Sequence, residues 1–153
     1  MTIVALIDFS AVTDRVFETA SALADSLKGR VVLFHVVQPS QVTGAANASP
    51  EAVAAALLAA EKAAEQRLAR YEKRLQLDSI NVTKTTLRGV PAPQIVEWSG
   101  KLGAAFLVMG SQGQNPTTSR LLGSTTEGVL RAARCPVIIV PHPKLGRSRQ
   151  PWP

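Results

Sequence analysis

Short apolar runs alternate with amphipathic stretches along the 153-residue chain. The runs are typical of strands buried on both faces of a parallel sheet, and in the stretches apolar residues recur at helical spacing. The predicted strands are 3–7, 30–39, 80–87, 104–110 and 136–141, and the predicted helices are 13–28, 50–75, 91–102 and 125–133. This βαβαβαβαβ order predicts an α/β fold, with one domain built on an open five-stranded parallel sheet that helices cover on both faces.

Turn-forming residues place the ends of these elements. Gly29 and Gly103 are expected to end helices, and Ser49 is expected to cap the long helix that has Pro50 in its first turn. The segment 40–49 is rich in Gly, Asn and Ser, so it is predicted to be a loop.

Composition restricts the class of protein. An apolar content of 46% allows one buried core, and no apolar run reaches the ~18 residues of a membrane span. The N-terminus lacks the pattern of a signal peptide and Cys135 is the only cysteine, which predicts a cytoplasmic protein. The net charge of +6 is partly carried by the basic, proline-rich residues 142–153, which are predicted to form a flexible tail after a domain at 1–141.

A glycine-punctuated stretch follows the predicted fourth strand. Gly110, Gly113 and Gly123 precede Ser124, and bare backbone of this kind allows a ligand or another chain segment to come close. Ligands in parallel sheets bind at the carboxyl ends of strands where the strand order reverses. Asp8 ends the first strand, so it is expected to face one crevice with Gly110 if those two strands are neighbours.

The start of the helix after Gly123 is predicted to bind phosphate through its backbone N–H groups and the hydroxyls of Ser124, Thr125 and Thr126. An alternative is a capping box formed by Ser124 and Glu127, which is compatible with phosphate binding. No Gly-Lys-Ser/Thr triplet follows, so the stretch differs from a Walker loop. The absence of that lysine favours binding over fast hydrolysis, so at most slow ATP hydrolysis and no catalytic residue are predicted.

Four other polar or reactive residues have structural interpretations. His35 lies inside an apolar strand and is expected to be a hydrogen-bonded structural histidine, while His142 has no second ligand at zinc-site spacing. Cys135 is expected to pack as a small hydrophobic residue. Asp8 either contacts a ligand or caps the first helix, and ligand contact is favoured because a carboxylate at a strand end is costly without a partner.

Five stretches of the chain carry a resemblance: "LIDFS", "LFHVV", "RGVPAPQIV", the Gly-x2-Gly-x9-Gly-Ser pattern and "RCPVIIVP". Together they resemble the universal stress protein family. The resemblance implies a Rossmann-like fold of the adenine nucleotide alpha hydrolase type. It also implies bound ATP or AMP, Mg2+ or Mn2+ held through the phosphates, and a homodimer paired along residues 137–140.

The resemblance also implies the ATP-binding residues. Asp8 and Val36 would contact the adenine, Leu6 and Ile7 would complete the wall beside it, Met109 and Gly110 would approach the ribose, and Gly113, Gly123, Ser124, Thr125 and Thr126 would cradle the phosphates. The sequence departs from the family at three positions. Leu6 replaces a common proline, Ala105 replaces a common acid, and Gln112 stands where basic residues are frequent, which is expected to weaken phosphate binding.

The favoured function is therefore an ATP-loaded regulatory protein of the stress response. A nucleotide-independent dimeric scaffold is one alternative. Such a scaffold would be expected to have a damaged glycine motif, and the motif of this sequence is whole. A binder of nucleic acid or of an acidic partner through the basic tail is a second alternative, which only the end of the chain supports.

Overall fold

The computed structural model of the chain describes residues 1–42, 49–116 and 121–143. Strands and helices alternate along the sequence. Their bounds are β1 Thr2–Leu6, α1 Thr13–Leu27, β2 Arg30–Val37, α2 Pro39–Val42, α3 Pro50–Leu77, β3 Asn81–Arg88, α4 Pro91–Lys101, β4 Ala104–Gly110, α5 Ser124–Ala132 and β5 Val137–Val140. Each predicted strand and helix is present with its ends shifted by a few residues at most, and β4 has the predicted bounds.

The five strands form one parallel sheet in the order β3-β2-β1-β4-β5. The predicted fold class is confirmed: a single α/β domain whose parallel sheet carries helices on both faces. The strand order reverses between β1 and β4, which are hydrogen-bonded neighbours. The carboxyl ends of these two strands therefore flank the position where ligands bind in such sheets.

Side chains that alternate along the strands fill two apolar layers. One layer packs the sheet against α1 and α3 and includes Ile3, Ala5, Leu33 and Val108. The other packs it against α4 and α5 and includes Val4, Leu6, Phe34, Leu107 and Met109. Because β1 and β4 are covered on both faces, their sequences read as continuous apolar runs rather than as alternating patterns.

Two local predictions were wrong. Residues 40–42 of the predicted loop belong to α2, in which Pro39 takes the first position, as proline does readily because its missing N–H is not needed there. The rest of that loop, 43–48, lies outside the described residues. Helix α1 ends through Lys28, whose φ of 50° is left-handed, rather than through Gly29. Gly29 instead lacks a side chain because a Cβ would lie 2.9 Å from the Met1 carbonyl oxygen.

The start of α3 agrees with the sequence. Ser49 is the N-cap, and its hydroxyl accepts a hydrogen bond of 3.2 Å from the Ala52 N–H. Leu57, Ala64, Leu68 and Leu75 form the buried stripe of this helix. The polar remainder of α3 faces outward and forms ion pairs with β3, such as that between Glu61 and Arg88 at 2.8 Å.

The described chain ends shortly after β5. His142 is buried, and its N–H donates to the Ser111 hydroxyl at 3.0 Å, so packing against the domain includes this residue. Residues 144–153, most of the predicted tail, lie outside the described residues, and the boundary at residue 141 stays a prediction. Among the helices that the structure describes, none is long and apolar enough to cross a membrane.

Candidate functional site

A crevice of about 280 Å³ opens at the carboxyl ends of the strands, beside the ends of β1 and β4. Its lining includes all eleven residues that the sequence nominated: Leu6, Ile7, Asp8, Val36, Met109, Gly110, Gly113, Gly123, Ser124, Thr125 and Thr126. The expectation that Asp8 and Gly110 share one crevice is therefore confirmed. What each residue does toward a ligand depends on the local geometry.

One side of the crevice is apolar. Leu6, Phe34, Ile95 and Met109 lie in the layer between the sheet and α4, and all four are buried. Val36 is half-buried and packs against the same layer at the end of β2. Together these side chains form a wall on which the flat face of a planar, mainly apolar group could pack.

Asp8 organises the turn between β1 and α1. Its Oδ1 accepts hydrogen bonds from the Ser10 N–H at 3.0 Å and from the Thr13 hydroxyl at 3.2 Å. The N-cap of α1 is Val12, with no side-chain cap, so Asp8 does not cap that helix in the way that the alternative proposed. Its second oxygen, Oδ2, faces Gly113 and makes none of these bonds, which leaves an acceptor directed at the crevice.

Two of the three glycines are required by contacts within the protein. A Cβ on Gly110 would overlap the Val12 Cγ1, and a Cβ on Gly113 would lie 2.7 Å from Asp8 Oδ2. The glycine stretch is also tied to β1 by the Gln114 side chain, whose Nε2 donates to the Asp8 carbonyl at 2.8 Å. Bare backbone at these two positions thus allows another chain segment to come close, whether or not a ligand is bound.

Gly123 differs from the other two. It is the N-cap of α5, with φ −76° and ψ 160°, a conformation open to any residue. A Cβ there would lie 3.4 Å from the Gln112 Cα and 3.9 Å from the Gly113 nitrogen, which are ordinary contacts. Packing therefore tolerates a small side chain at Gly123, which lines the crevice together with Gly113.

The first turn of α5 lines the crevice. Its N-cap makes no side-chain cap bond and Ser124 is already helical, so the capping box of Ser124 and Glu127 is not formed. The N–H groups of Ser124, Thr125 and Thr126 have no acceptor four residues back within the helix. These donors and the positive end of the helix dipole make the start of α5 suited to an anion.

The three hydroxyls of this turn are not equivalent. The Thr126 hydroxyl is buried and donates to the Gly110 carbonyl at 2.9 Å, which ties α5 to the end of β4. Ser124 is exposed and Thr125 is half-buried at the crevice. Thr126 therefore positions the turn, and the hydroxyls of Ser124 and Thr125 are the ones that could contact a ligand.

The crevice holds few charged groups. Within the lining that the structure describes, Asp8 is the acid and no lysine or arginine is present. Gln112 is buried. No group of three or more His, Cys, Asp or Glu side chains in the described ranges could hold a metal ion. An anion here would be held by backbone N–H groups and hydroxyls.

His35 lines the crevice from β2 but is engaged in the fold. Its Nδ1 is 2.6 Å from the Ile7 carbonyl oxygen, and its ring lies 4.7 Å from that of Phe9. Burial lowers the pKa of His35, partly offset by the bond to Ile7. The prediction of a hydrogen-bonded structural histidine is confirmed.

Sequence reasoning missed several lining residues, namely Phe34, Gln38, Gln41, Pro91, Ile95, Gln114 and Asn115. Gln38 directly follows the end of β2, so the rule that ligands meet strand ends could have found it. Pro91 and Ile95 come from α4, and nothing in their sequence pattern separates them from ordinary positions of an amphipathic helix.

Comparison with known proteins places this geometry in a family. The sequence profile of the universal stress protein family matches residues 1–141. The chain belongs to the universal stress protein family. A universal stress protein of Methanocaldococcus jannaschii, MJ0531, is 31% identical over 138 residues, which are 90% of this chain and 79% of the relative. Universal stress proteins of Mycobacterium tuberculosis match over 80 residues, which are 26% of their length.

Solved structures of universal stress proteins share the fold. The structure of MJ0577 of the same archaeon has a TM-score of 0.82 at 24% identity and covers 92% of this chain and 94% of its own. A universal stress protein in complex with cAMP has a TM-score of 0.68 at 20% identity, with coverage of 93% and 97%. One from Archaeoglobus fulgidus in complex with dAMP has a TM-score of 0.62 at 20% identity, with coverage of 91% and 96%.

Proposed function

We propose that this universal stress protein binds an adenine nucleotide, with ATP as its preferred ligand, in the crevice at the carboxyl ends of β1 and β4. The observation that carries the proposal is that one crevice combines an apolar wall with the open N-terminal turn of α5. An apolar wall suits a base, and free helix N–H groups suit phosphates. Nucleotides carry both groups on one molecule.

In this proposal each part of the crevice has one task. The adenine packs on Val36 and its neighbours, with Asp8 Oδ2 as the acceptor nearby. The ribose lies over Met109 and Gly110 at the end of β4. The phosphates lie between Gly113 and Gly123 and accept hydrogen bonds from the N–H groups and hydroxyls of the first α5 turn. Leu6 and Ile7 complete the wall from β1.

The structural relatives support an adenine ligand, because two of them were solved with the adenine nucleotides cAMP and dAMP. AMP would fill the same base and ribose positions as ATP and use only the nearest part of the phosphate site. Since no cluster of protein ligands for a metal is found in the described residues, Mg2+ or Mn2+ would be held through the phosphates of ATP.

We further propose a regulatory rather than an enzymatic role, in a cytoplasmic protein of the stress response. The described lining offers no lysine or arginine to stabilise charge that moves between phosphates. Slow hydrolysis at most is expected. The loaded protein would differ from the empty one in the contacts around the mouth of the crevice.

Nucleotide identity provides the test. Mass spectrometry of the purified protein should detect a retained adenine nucleotide, and calorimetry should show tighter binding of ATP than of GTP. The reason is that an acceptor beside the base matches the amino group of adenine and repels the carbonyl of guanine. Equal affinities for the two nucleotides would remove the adenine assignment of Asp8 and Val36.

A homodimer paired along residues 137–140 belongs to the same proposal. β5 is an edge strand, and its Val137, Ile138 and Ile139 are half-buried apolar residues with no charge among them. The opposite edge, β3, carries Lys84 and Arg88, both of which are ion-paired to α3. An apolar edge without charges is the one expected to pair with a second copy.

This edge also favours the second candidate function, a dimeric scaffold that acts without nucleotide. The retained-nucleotide measurement separates the two functions, because a scaffold would be purified empty and would show no heat of ATP binding. The third candidate, a nucleic-acid binder, depends on residues 144–153, which lie outside the described residues, and it stays a prediction.

A further inference from the structure

A second pocket, of about 240 Å³, lies on the outer surface between α1 and α3. Its lining consists of Asp14, Arg67, Arg70, Tyr71 and Arg74, and none of these residues lines the crevice. We call Arg67, Arg70 and Arg74 the arginine row. All three side chains are exposed.

The spacing of the arginine row places its charges on one face of α3. Arg70 and Arg74 are four residues apart and Arg67 is three residues before Arg70, and like charges at these spacings destabilise a helix. None of the ion pairs found among the described residues includes a member of the row. The repulsion is therefore not relieved by an ion pair within the described residues, and a bound anion would relieve it.

Two of the guanidinium groups are held in place by aromatic rings. The Cζ of Arg67 lies 3.8 Å from the centroid of the Phe9 ring, and that of Arg74 lies 4.5 Å from the centroid of Phe17. Stacking of this kind leaves the N–H groups at the edge of the guanidinium available as donors. Such a pre-oriented donor loses less conformational freedom when an anion binds.

The remaining wall of the pocket is also fixed. The Tyr71 hydroxyl donates to Asp14 Oδ1 at 2.9 Å, and the Tyr71 ring lies 5.1 Å from the Phe17 ring. The pocket therefore presents basic groups along α3 and a single carboxylate on the α1 side. An anion would contact the arginine row and be repelled by Asp14 at that margin.

We propose that the arginine row binds the phosphate groups of a small ligand that carries two or more linked phosphates. Arg67 and Arg74 are separated by about 10 Å along the helix axis, which is long for one phosphate and suits a short row of them. The guanidinium fork matches phosphate oxygens in bidentate geometry. The carboxylate of Asp14 disfavours a polymer that would continue across α1, so the ligand is expected to end within the pocket.

The test uses sodium tripolyphosphate as the probe and the full chain at about 0.15 M ionic strength, where the Debye length is about 8 Å. Nuclear magnetic resonance follows the Nε–Hε signals of the arginine row and, separately, the backbone amides of Ser124 and Thr125. Two double variants are compared: Arg70→Gln with Arg74→Gln, and the control Lys62→Gln with Lys73→Gln. The control removes the same charge from exposed positions of the same helix.

The signals of the arginine row should shift along a binding curve of their own. The arginine variant should weaken that curve at least tenfold, and the lysine control should change it by less than about twofold. Three results would overturn the proposal: shifts confined to Ser124 and Thr125, equal weakening by both variants, or tighter binding to the row of a single-stranded DNA 12-mer at equal phosphate concentration. If the unmodified chain bound tripolyphosphate at the row but did not bind ATP in the crevice, the crevice assignment alone would be refuted.

Discussion

Alanine in place of Gly123 distinguishes a glycine that serves a ligand from one that serves packing. The added Cβ lies at 3.4 Å from the Gln112 Cα and at 3.9 Å from the Gly113 nitrogen, so the protein can accommodate it. It would nevertheless add a methyl group to the part of the crevice lining where the phosphates are proposed to bind. The matched comparison is Gly110→Ala, whose Cβ would overlap the buried Val12 side chain.

The two substitutions should differ in the empty protein. At Gly123, alanine is a poorer N-cap, which lowers the free energy of unfolding by roughly 1 kcal/mol. Alanine also restricts the unfolded chain, which raises the free energy of unfolding by about 0.4–1 kcal/mol. The melting temperature should therefore move by no more than about 4 °C. At Gly110, overpacking should cost about 1–3 kcal/mol, which lowers the melting temperature by roughly 2–12 °C.

Circular dichroism melts without nucleotide measure the change in melting temperature. Calorimetry with ATP measures the change in nucleotide affinity. Gly123→Ala should weaken ATP binding at least tenfold, about 1.4 kcal/mol, while its melt stays close to that of the unmodified protein. Val12→Ala added to Gly110→Ala should be less destabilising than the sum of the two single changes, because the smaller side chain makes room for the new methyl group.

Three outcomes would each refute a part of this reasoning. A Gly123→Ala protein that keeps its ATP affinity would show that the crevice beside α5 does not hold phosphates. A Gly123→Ala protein that melts far below the unmodified chain without nucleotide would show that this glycine is needed for packing after all. Strict additivity of the Val12 and Gly110 changes would remove the steric account of Gly110.

The remaining predictions concern the dimer and pH. Ile139→Lys should convert the dimer to monomers in light scattering with its circular dichroism spectrum unchanged, and a monomeric unmodified protein at micromolar concentration would contradict the pairing of β5. Because burial lowers the folded-state pKa of His35 below 6.5, its contribution to stability is complete above about pH 6.5 and is lost as pH falls through the lowered value. Urea unfolding of His35→Gln should be less sensitive to pH in that range, and an unchanged sensitivity would exclude His35 as the source.

The sheet was predictable because its strands are buried on both faces. Residues 104–110 form a continuous apolar run between Gly103 and a polar stretch. Because both ends of the run are marked in the sequence, the first and last residues of the strand could be predicted. Pro39 shows the opposite case. The sequence predicts that it ends a strand, but proline also begins helices. Only the path of the folded chain decides whether this proline ends β2 or begins α2.

The position of the crevice could be predicted from the sequence. The contacts that require particular residues there could not. A glycine pattern shows that the backbone is bare without showing what approaches it. Gly110 meets Val12 from the turn after β1, nearly a hundred residues earlier in the sequence, and this contact exists only in the folded chain. For the same reason the sequence could not show that the Thr126 hydroxyl donates to the Gly110 carbonyl.

The central place of β1 has a consequence for synthesis of the chain. Thr2 pairs with Arg30 on one side and with Ala104 on the other, so one edge of β1 lacks its partner until about a hundred further residues have been made. At about 5–20 residues per second, the nascent chain presents that edge unpaired for roughly 5–20 s. During this interval the apolar side chains of β1, which include the crevice residue Leu6, lack their cover from β4, so a chaperone or another nascent chain can contact them first.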